Sequence, residues 1–271
     1  MISFPNAKIN IGLRITGKLP DGYHTLKSLM IPTGFCDILE FVPSKKDILD
    51  ITGIPIPGSP KDNIICKTLE LVRKSFEIPP LKIHLHKNIP AGAGLGGGSA
   101  DASFFLNMLD KHFELNMCLF EKENLIAKIG SDCPFFILNK PAFIKGTGDK
   151  TELYEINLND KYLVIVYPGF SISTPEAYSE AQITTEEESL EVLLKEDIEK
   201  WKNLVINDFE KSLFPKYPVI NEIKKALYQF DAEYASMSGS GSALYGIFKE
   251  KPDFDQKFKE KIAYEGYLTG F

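Results

Sequence analysis

Only four cysteines occur in 271 residues, and Cys36, Cys66, Cys118 and Cys133 form no C-x-x-C pair, so a disulfide framework or a zinc site has little to be built from. The spacing favours reduced, buried thiols in mostly apolar surroundings and, with them, a cytoplasmic setting. No stretch reaches the roughly 18 apolar residues of a membrane span, and Met1-Ile-Ser-Phe-Pro5 lacks the basic start and apolar run of a signal peptide, so no membrane partner is expected. A basic surplus is missing too. With 31 Lys+Arg against 37 Asp+Glu and a net charge of −6, the chain is not a general nucleic-acid binder, and any anionic ligand has to be handled locally. Repeats and low-complexity tracts are absent. The length suffices for one large domain or two modest ones.

What the chain does have is glycine in one place. Gly92 to Gly98 holds five glycines in seven positions, between the alternating segment Leu81-Lys-Ile-His-Leu-His-Lys87 and the apolar segment Ala102 to Leu109. The first reads as a half-buried strand and the second as a buried helix. Glycine lets an anion approach the main chain, and a helix beginning near Ser99 offers unpaired N–H groups and the positive end of its dipole. The run is therefore a phosphate cradle rather than a flexible linker. Gly92, Gly94 and Gly97 also spell G-x-G-x-x-G, but a dinucleotide fold requires an acidic residue at the end of a second strand about 20 residues on, and that region looks helical. A P-loop requires lysine after the last glycine, where Ser99 stands.

Along the chain, Lys8 to Thr16 and Phe35 to Val42 read as strands, Ile51 to Lys61 as a loop, and Asp62 to Lys74 as a capped amphipathic helix. A short helix over Glu121 to Ile129 is expected to stop at Gly130 as a C′ residue. The pattern resets at Leu158-Asn-Asp160 before the strand Tyr162 to Gly169, which places a boundary between domains 1–159 and 160–271. A helix over Glu186 to Lys202, capped by Thr185, presents Leu190, Leu193, Leu194, Ile198 and Trp201 on one stripe. A helix from Val219 to Phe230 and two strands within Tyr234 to Phe248 complete the second half.

Three small-residue elements far apart in sequence now stand out: Pro5-Asn-Ala-Lys-Ile-Asn-Ile-Gly12, Pro90 to Ala100, and Ser238-Gly-Ser-Gly-Ser-Ala243. With Asp21-Gly-Tyr-His24 and Gly130-Ser-Asp-Cys-Pro-Phe-Phe136, this order of motifs resembles the GHMP kinase superfamily, in particular its cytidyl-substrate branch. The resemblance spans Pro5 to about Phe248. It implies an α+β fold of two domains, with ATP and substrate sites in the cleft between them, and ATP-dependent phosphorylation of an alcohol carrying a cytidine diphosphate group, in isoprenoid precursor synthesis. Asn6 and Asp101 depart from the family pattern. Asp101 would oppose a phosphate if it faced the loop, so it is expected to point away.

Residue by residue, the resemblance implies a catalytic pair, Lys8 and Asp132. A carboxylate can take the hydroxyl proton while an ammonium stabilises the forming alkoxide and the phosphoryl oxygens. Read alone, Lys8 could be an ordinary strand lysine and Asp132 a helix cap. The ATP phosphates fall to Pro90, Ala91, Gly92, Ala93, Gly94, Leu95, Gly96, Gly97, Gly98, Ser99 and Ala100, with Asn63 and Lys87 as candidates for the adenine pocket. Asn10, Tyr23 and His24 are implied to hold the cytidine end. Tyr178 is the candidate to stack on the cytosine, with Phe170 as the alternative. Mg²⁺ is implied by ATP, held by phosphates, waters and Ser99 rather than by a carboxylate cage. His84 and His86 share a strand face but lack a third ligand and read as surface residues. Monomer and homodimer both stay open. The rivals are a mevalonate- or homoserine-type kinase, disfavoured by Asp21-Gly-Tyr-His24, and a non-catalytic ATP sensor, disfavoured by the presence of both Lys8 and Asp132.

Overall fold

A computed structural model describes residues 1–59, 62–184 and 188–269. Helix and strand are mixed along the chain, and the residues sort into two compact units that interleave in sequence. One comprises Met1–Ala7, Phe35–Ala91 and Gly96–Lys140; the other comprises Lys8–Gly34, Gly92–Leu95 and Pro141–Phe271. The sequence boundary at 159/160 therefore falls inside the second unit.

The first unit is built on a four-stranded sheet in which Ile38–Pro43 and Leu81–Lys87 run antiparallel, flanked by Ile2–Ser3 and by Ile48–Gly53. The period of two in Leu81–Lys87 sends Leu81, Ile83 and Leu85 into the core. Lys82, His84 and His86 take the other face, where Thr52 Oγ1 lies 2.9 Å from both His84 Nε2 and His86 Nδ1. Helices Ile64–Arg73, Gly97–Phe113, Leu119–Ile126 and Cys133–Leu138 supply the other side of the core, including Ile65, Leu69, Phe105, Leu106 and Leu109. Burying each such side chain contributes about 1.5–3 kcal/mol. Two expectations need correction. Ile51 to Gly53 belong to a strand, held by parallel pairing with Leu85 to Lys87, and the predicted loop begins only after it. The helix expected over Glu121 to Ile129 ends at Ile126, and turn hydrogen bonds such as Ile129 N–H to the Ile126 carbonyl (2.9 Å) replace the left-handed cap expected of Gly130.

The second unit carries two four-stranded sheets. One contains the long strands Asn6–Lys18 and His24–Cys36, followed by Ala142–Gly146 and Lys150–Leu153. The other orders Tyr234–Met237, Leu244–Phe248, Tyr162–Val166 and Ile262–Tyr267, antiparallel throughout. Helices Thr174–Ser179, Phe209–Lys216 and Pro218–Gln229 pack into a core with Leu13, Val164, Phe209, Leu227 and Met237. The helix expected over Glu186 to Lys202 is instead short turns: Leu190–Leu193, a 3₁₀ turn Ile198–Lys200, and Trp201–Leu204. Asp197 takes an extended ψ of 139°, and the Trp201 indole N–H donates to the Glu196 carbonyl (2.9 Å), so the break is built in. Leu190, Leu193, Leu194 and Trp201 are buried all the same. Thr185, Glu186 and Glu187, the predicted cap and acidic start, lie outside the described residues.

All four cysteines are free thiols. Cys133 is buried and Cys36 and Cys66 half-buried, but Cys118 is exposed at a helix start, contrary to the expectation of burial. Among the described residues no helix is long and apolar enough to cross a membrane.

Candidate active site

The strand Asn6–Lys18 is buried on both faces from Asn6 to Ile15, so Lys8 and Asn10 stand among apolar neighbours and need partners. Lys8, 3% exposed, donates from Nζ to Asn10 Oδ1 at 2.6 Å. Asn10 Nδ2 donates to Ser28 Oγ at 2.8 Å, and Ser28 Oγ to the Gly12 carbonyl at 2.6 Å. Asn10 is thus committed at both ends of its amide, which fits holding Lys8 better than holding a base.

The glycine run reaches the same strand: Lys8 N–H donates to the Leu95 carbonyl at 2.9 Å. Gly94 in turn meets the Ser238 turn, with Ser238 Oγ donating to its carbonyl at 2.9 Å and Ala243 N–H to the Ala93 carbonyl at 3.0 Å. A methyl on Gly94 would stand 2.0 Å from the Ser238 carbonyl oxygen, and its φ of +78° is left-handed, so only glycine fits. Gly239, at φ +55°, passes so close to Lys8 that a methyl there would lie 3.3 Å from both Nζ and Asn10 Oδ1. Asn207 pins this turn, donating from Nδ2 to the Met237 and Gly239 carbonyls at 2.8 Å each. Three motifs spread over more than two hundred residues of chain, the glycine run through its Gly92–Leu95 part, thus meet within one unit.

Near the other end of the same sheet, Tyr23 and His24 follow a tight turn in which Asp21 Oδ1 accepts from Tyr23 N–H at 3.0 Å. Tyr23 is 68% exposed. The His24 imidazole stacks on Tyr178, centroids 5.1 Å apart and planes 22° from parallel, while Phe209 meets the Tyr178 ring edge-on at 4.8 Å. Burial and the nearby Lys18 ammonium lower the His24 pKa below its usual value. Phe170 instead tilts against Tyr217 at 5.4 Å, and its carbonyl accepts from Ser242 Oγ.

In the first unit, helix Gly97–Phe113 starts after a left-handed Gly96 and has no side-chain cap, which leaves its first N–H groups for something else. Ser103 Oγ, 2.7 Å from the Cys133 carbonyl and 2.9 Å from that of Ser99, ties the loop carrying Asp132 to this helix. Burial, with the Asp132 charge adding, pushes the Cys133 thiol up to about 11, so it stays protonated. Asp132 precedes helix Cys133–Leu138 with a helical φ of −81° and ψ of −11°, and its side chain makes no capping hydrogen bond. The alternative of a plain helix cap therefore has no support.

Lys87 and Asn63, the adenine candidates, have other partners. Asn63 caps its helix, Oδ1 accepting from Ile65 N–H at 2.8 Å. Lys87 continues the inward face of its strand, and its ammonium is buried between Asp37 and Asp101, donating to Asp37 Oδ2 and, at 2.7 Å, to Asp101 Oδ2. Asp37 also accepts from the Asn88 and Ile89 N–H groups at 2.6 and 2.9 Å. Burial drives Asp101 up to about 8, against the pull of Lys87, whose own pKa the two carboxylates raise despite its desolvation. Sequence reasoning missed Ser28, Asp37 and Asn207. The inward parity of Lys87 was the available signal for Asp37, while nothing local marked Ser28 or Asn207.

No group of three or more His, Cys, Asp or Glu able to hold a metal occurs among the described residues.

The chain matches the model for the GHMP kinases N-terminal domain over residues 63–140 and that for the GHMP kinases C-terminal domain over 189–262. It is 44% identical to a Parabacteroides distasonis protein named 4-diphosphocytidyl-2-C-methyl-D-erythritol kinase, over 99% of this chain and 100% of that one. A crystal structure of 4-(cytidine 5'-diphospho)-2C-methyl-D-erythritol kinase superposes with a TM-score of 0.80 at 27% identity, covering 92% of this chain and 91% of the other. The Methanococcus jannaschii mevalonate kinase, at 13% identity and a TM-score of 0.69 over 96% and 92%, shares the fold. Matched in both halves by the family's models and end to end by a relative far above chance identity, the chain belongs to the GHMP kinases.

Proposed function

We propose that this chain transfers the terminal phosphoryl group of ATP to the 2-hydroxyl of 4-diphosphocytidyl-2-C-methyl-D-erythritol, a step of isoprenoid precursor synthesis. The observation that carries the reading is the buried Lys8 ammonium, fixed by Asn10 and overlain by the Gly239 turn, on the strand that also receives the glycine run. A lysine at 3% exposure with such support is an expensive way to fill a strand position, whereas an immobilised cation suits a reaction whose charge develops on phosphoryl oxygens.

Asp132 takes the proton of the substrate hydroxyl, and Lys8 stabilises the alkoxide and the phosphoryl oxygens. The residues Pro90 to Ala100 receive the ATP phosphates. The uncapped helix start fits that role, and a methyl on Gly98 would meet no protein atom within 4 Å, so the room beside its first turn is open. Mg²⁺ bound with the phosphates would neutralise their charge, and Ser99 is the candidate protein ligand. Tyr178, His24 and Tyr23 hold the cytosine. With centroids 5.1 Å apart, the His24 and Tyr178 rings leave no space between them for a base, so a pyrimidine would add to the outside of the stack.

Asp132→Asn tests the assignment, since it is nearly isosteric and removes no cap. kcat is expected to fall by about 10² to 10⁴ with ATP and cytidyl-substrate binding retained. A folded variant within a few-fold of wild-type kcat, under conditions where chemistry limits turnover, removes Asp132 from the role.

A further inference from the structure

Lys8, Asn10 and Ser28 form a hydrogen-bond chain whose polarity is dictated by its first member. An ammonium can only donate, so Asn10 must present Oδ1 to Lys8 Nζ, 2.6 Å away. The same amide must then turn Nδ2 the opposite way, where it donates to Ser28 Oγ at 2.8 Å. Having accepted there, Ser28 directs its own proton to the Gly12 carbonyl at 2.6 Å. Ser28 is completely buried and Asn10 nearly so, so water cannot replace a missing link. The Asn10 main chain is fixed as well, its carbonyl accepting from Tyr245 Oη at 2.7 Å.

The geometry points to Ser28 as a positioning residue for phosphoryl transfer: by accepting from Asn10 Nδ2 it keeps the amide oxygen turned toward the Lys8 ammonium and so fixes where that cation stands. The inference rests on the reading of Lys8 as the cation of the reaction. Without the hydroxyl, Nδ2 loses the acceptor it has in the folded chain, and rotation of the amide by half a turn no longer breaks the bond to Ser28. The rotated amide aims its NH₂ group at the ammonium, and the two donors repel. Gly239 closes over the Lys8–Asn10 contact, with a methyl there standing 3.3 Å from both atoms, so a displaced ammonium has little room on that side. A serine that merely filled space in the strand His24–Cys36 would affect stability alone.

The test measures kcat, both KM values and the melting temperature of the full chain. Ser28→Ala is expected to lower kcat by about tenfold or more, with KM for ATP and for the cytidyl substrate within about threefold of wild type. Ser28→Thr and Ser28→Val have the same shape and differ by hydroxyl against methyl, so the threonine variant is expected to exceed the valine variant in kcat by about the same tenfold factor even if alanine folds poorly. Because Ser28 acts through the amide, adding Ser28→Ala to Asn10→Ala should cost less than about threefold more. Wild-type kcat in Ser28→Ala, equal kcat in the threonine and valine variants, or fully multiplying losses in the double variant each overturn the inference. Lys8→Met separates the two levels. If it keeps wild-type kcat, the reading of Lys8 falls; if it is inactive while Ser28→Ala is normal, only the role of Ser28 falls.

Discussion

Replacing Gly98 with alanine sets stability against nucleotide binding at a single methyl group. Gly98 is the second residue of helix Gly97–Phe113, its φ is not left-handed, and a Cβ there meets nothing within 4 Å. On the protein's own account alanine is the better residue, because it loses less backbone entropy in a helix. The gain is about 0.5–1 kcal/mol, or about 1–4 °C in melting temperature for a chain of this size. If the phosphates lie against this turn, the methyl occupies space that a phosphate oxygen needs. Displacing one charge-assisted N–H bond costs about 1.5–3 kcal/mol, and affinity for ATP falls by about 10- to 100-fold. Gly94→Ala is the contrast. Its methyl would be 2.0 Å from a backbone oxygen at a φ of +78°, so it should destabilise by about 2–5 kcal/mol. Calorimetric titration with ATP alongside thermal melting reads both quantities. A Gly98→Ala protein that melts higher and still binds ATP as the wild type does would refute a phosphate site at this helix start.

Two further outcomes follow from the geometry. Tyr178→Ala should raise KM for the cytidyl substrate by about 10- to 100-fold with little change in KM for ATP, and Tyr178→Phe should restore it; a wild-type KM for the cytidyl substrate in Tyr178→Ala would shift the stacking role to Phe170. Asp101 holds its proton to about pH 8 when folded but only to about 4 when unfolded, so the native state binds the extra proton in between. Stability therefore falls as pH rises from about 4 through 8, and the fall levels off once Asp101 has ionised in the native state too, beside Asp37 and Lys87. Asp101→Asn should flatten the decline of melting temperature between about pH 4 and 8; parallel curves would show that Asp101 is already ionised at neutral pH.

Much of the fold was legible because its signals are local. Alternation in Leu81–Lys87, the stripe of Ile65, Leu69 and Val72, and the small-residue turn between Tyr234–Met237 and Leu244–Phe248 each follow from neighbouring residues. Glycine density marked the run Gly92 to Gly98 for the same reason, since a close approach of backbone needs missing side chains wherever it occurs. The motif order was enough to suggest the family. Tertiary structure alone decided which side chains face which. Lys87 is a candidate for the adenine pocket by sequence, but its inward-facing ammonium is met by Asp37 from a strand junction 50 residues earlier and by Asp101. The family resemblance gives Asn10 a part in holding the cytidine end, and only the folded chain shows that its NH₂ group donates to Ser28, 18 residues on. The stacking of His24 on Tyr178 and the approach of Gly239 to Lys8 depend on chain paths that no local pattern encodes. A sequence records what each residue can donate, accept or bury, and only the folded chain determines which partner is within reach.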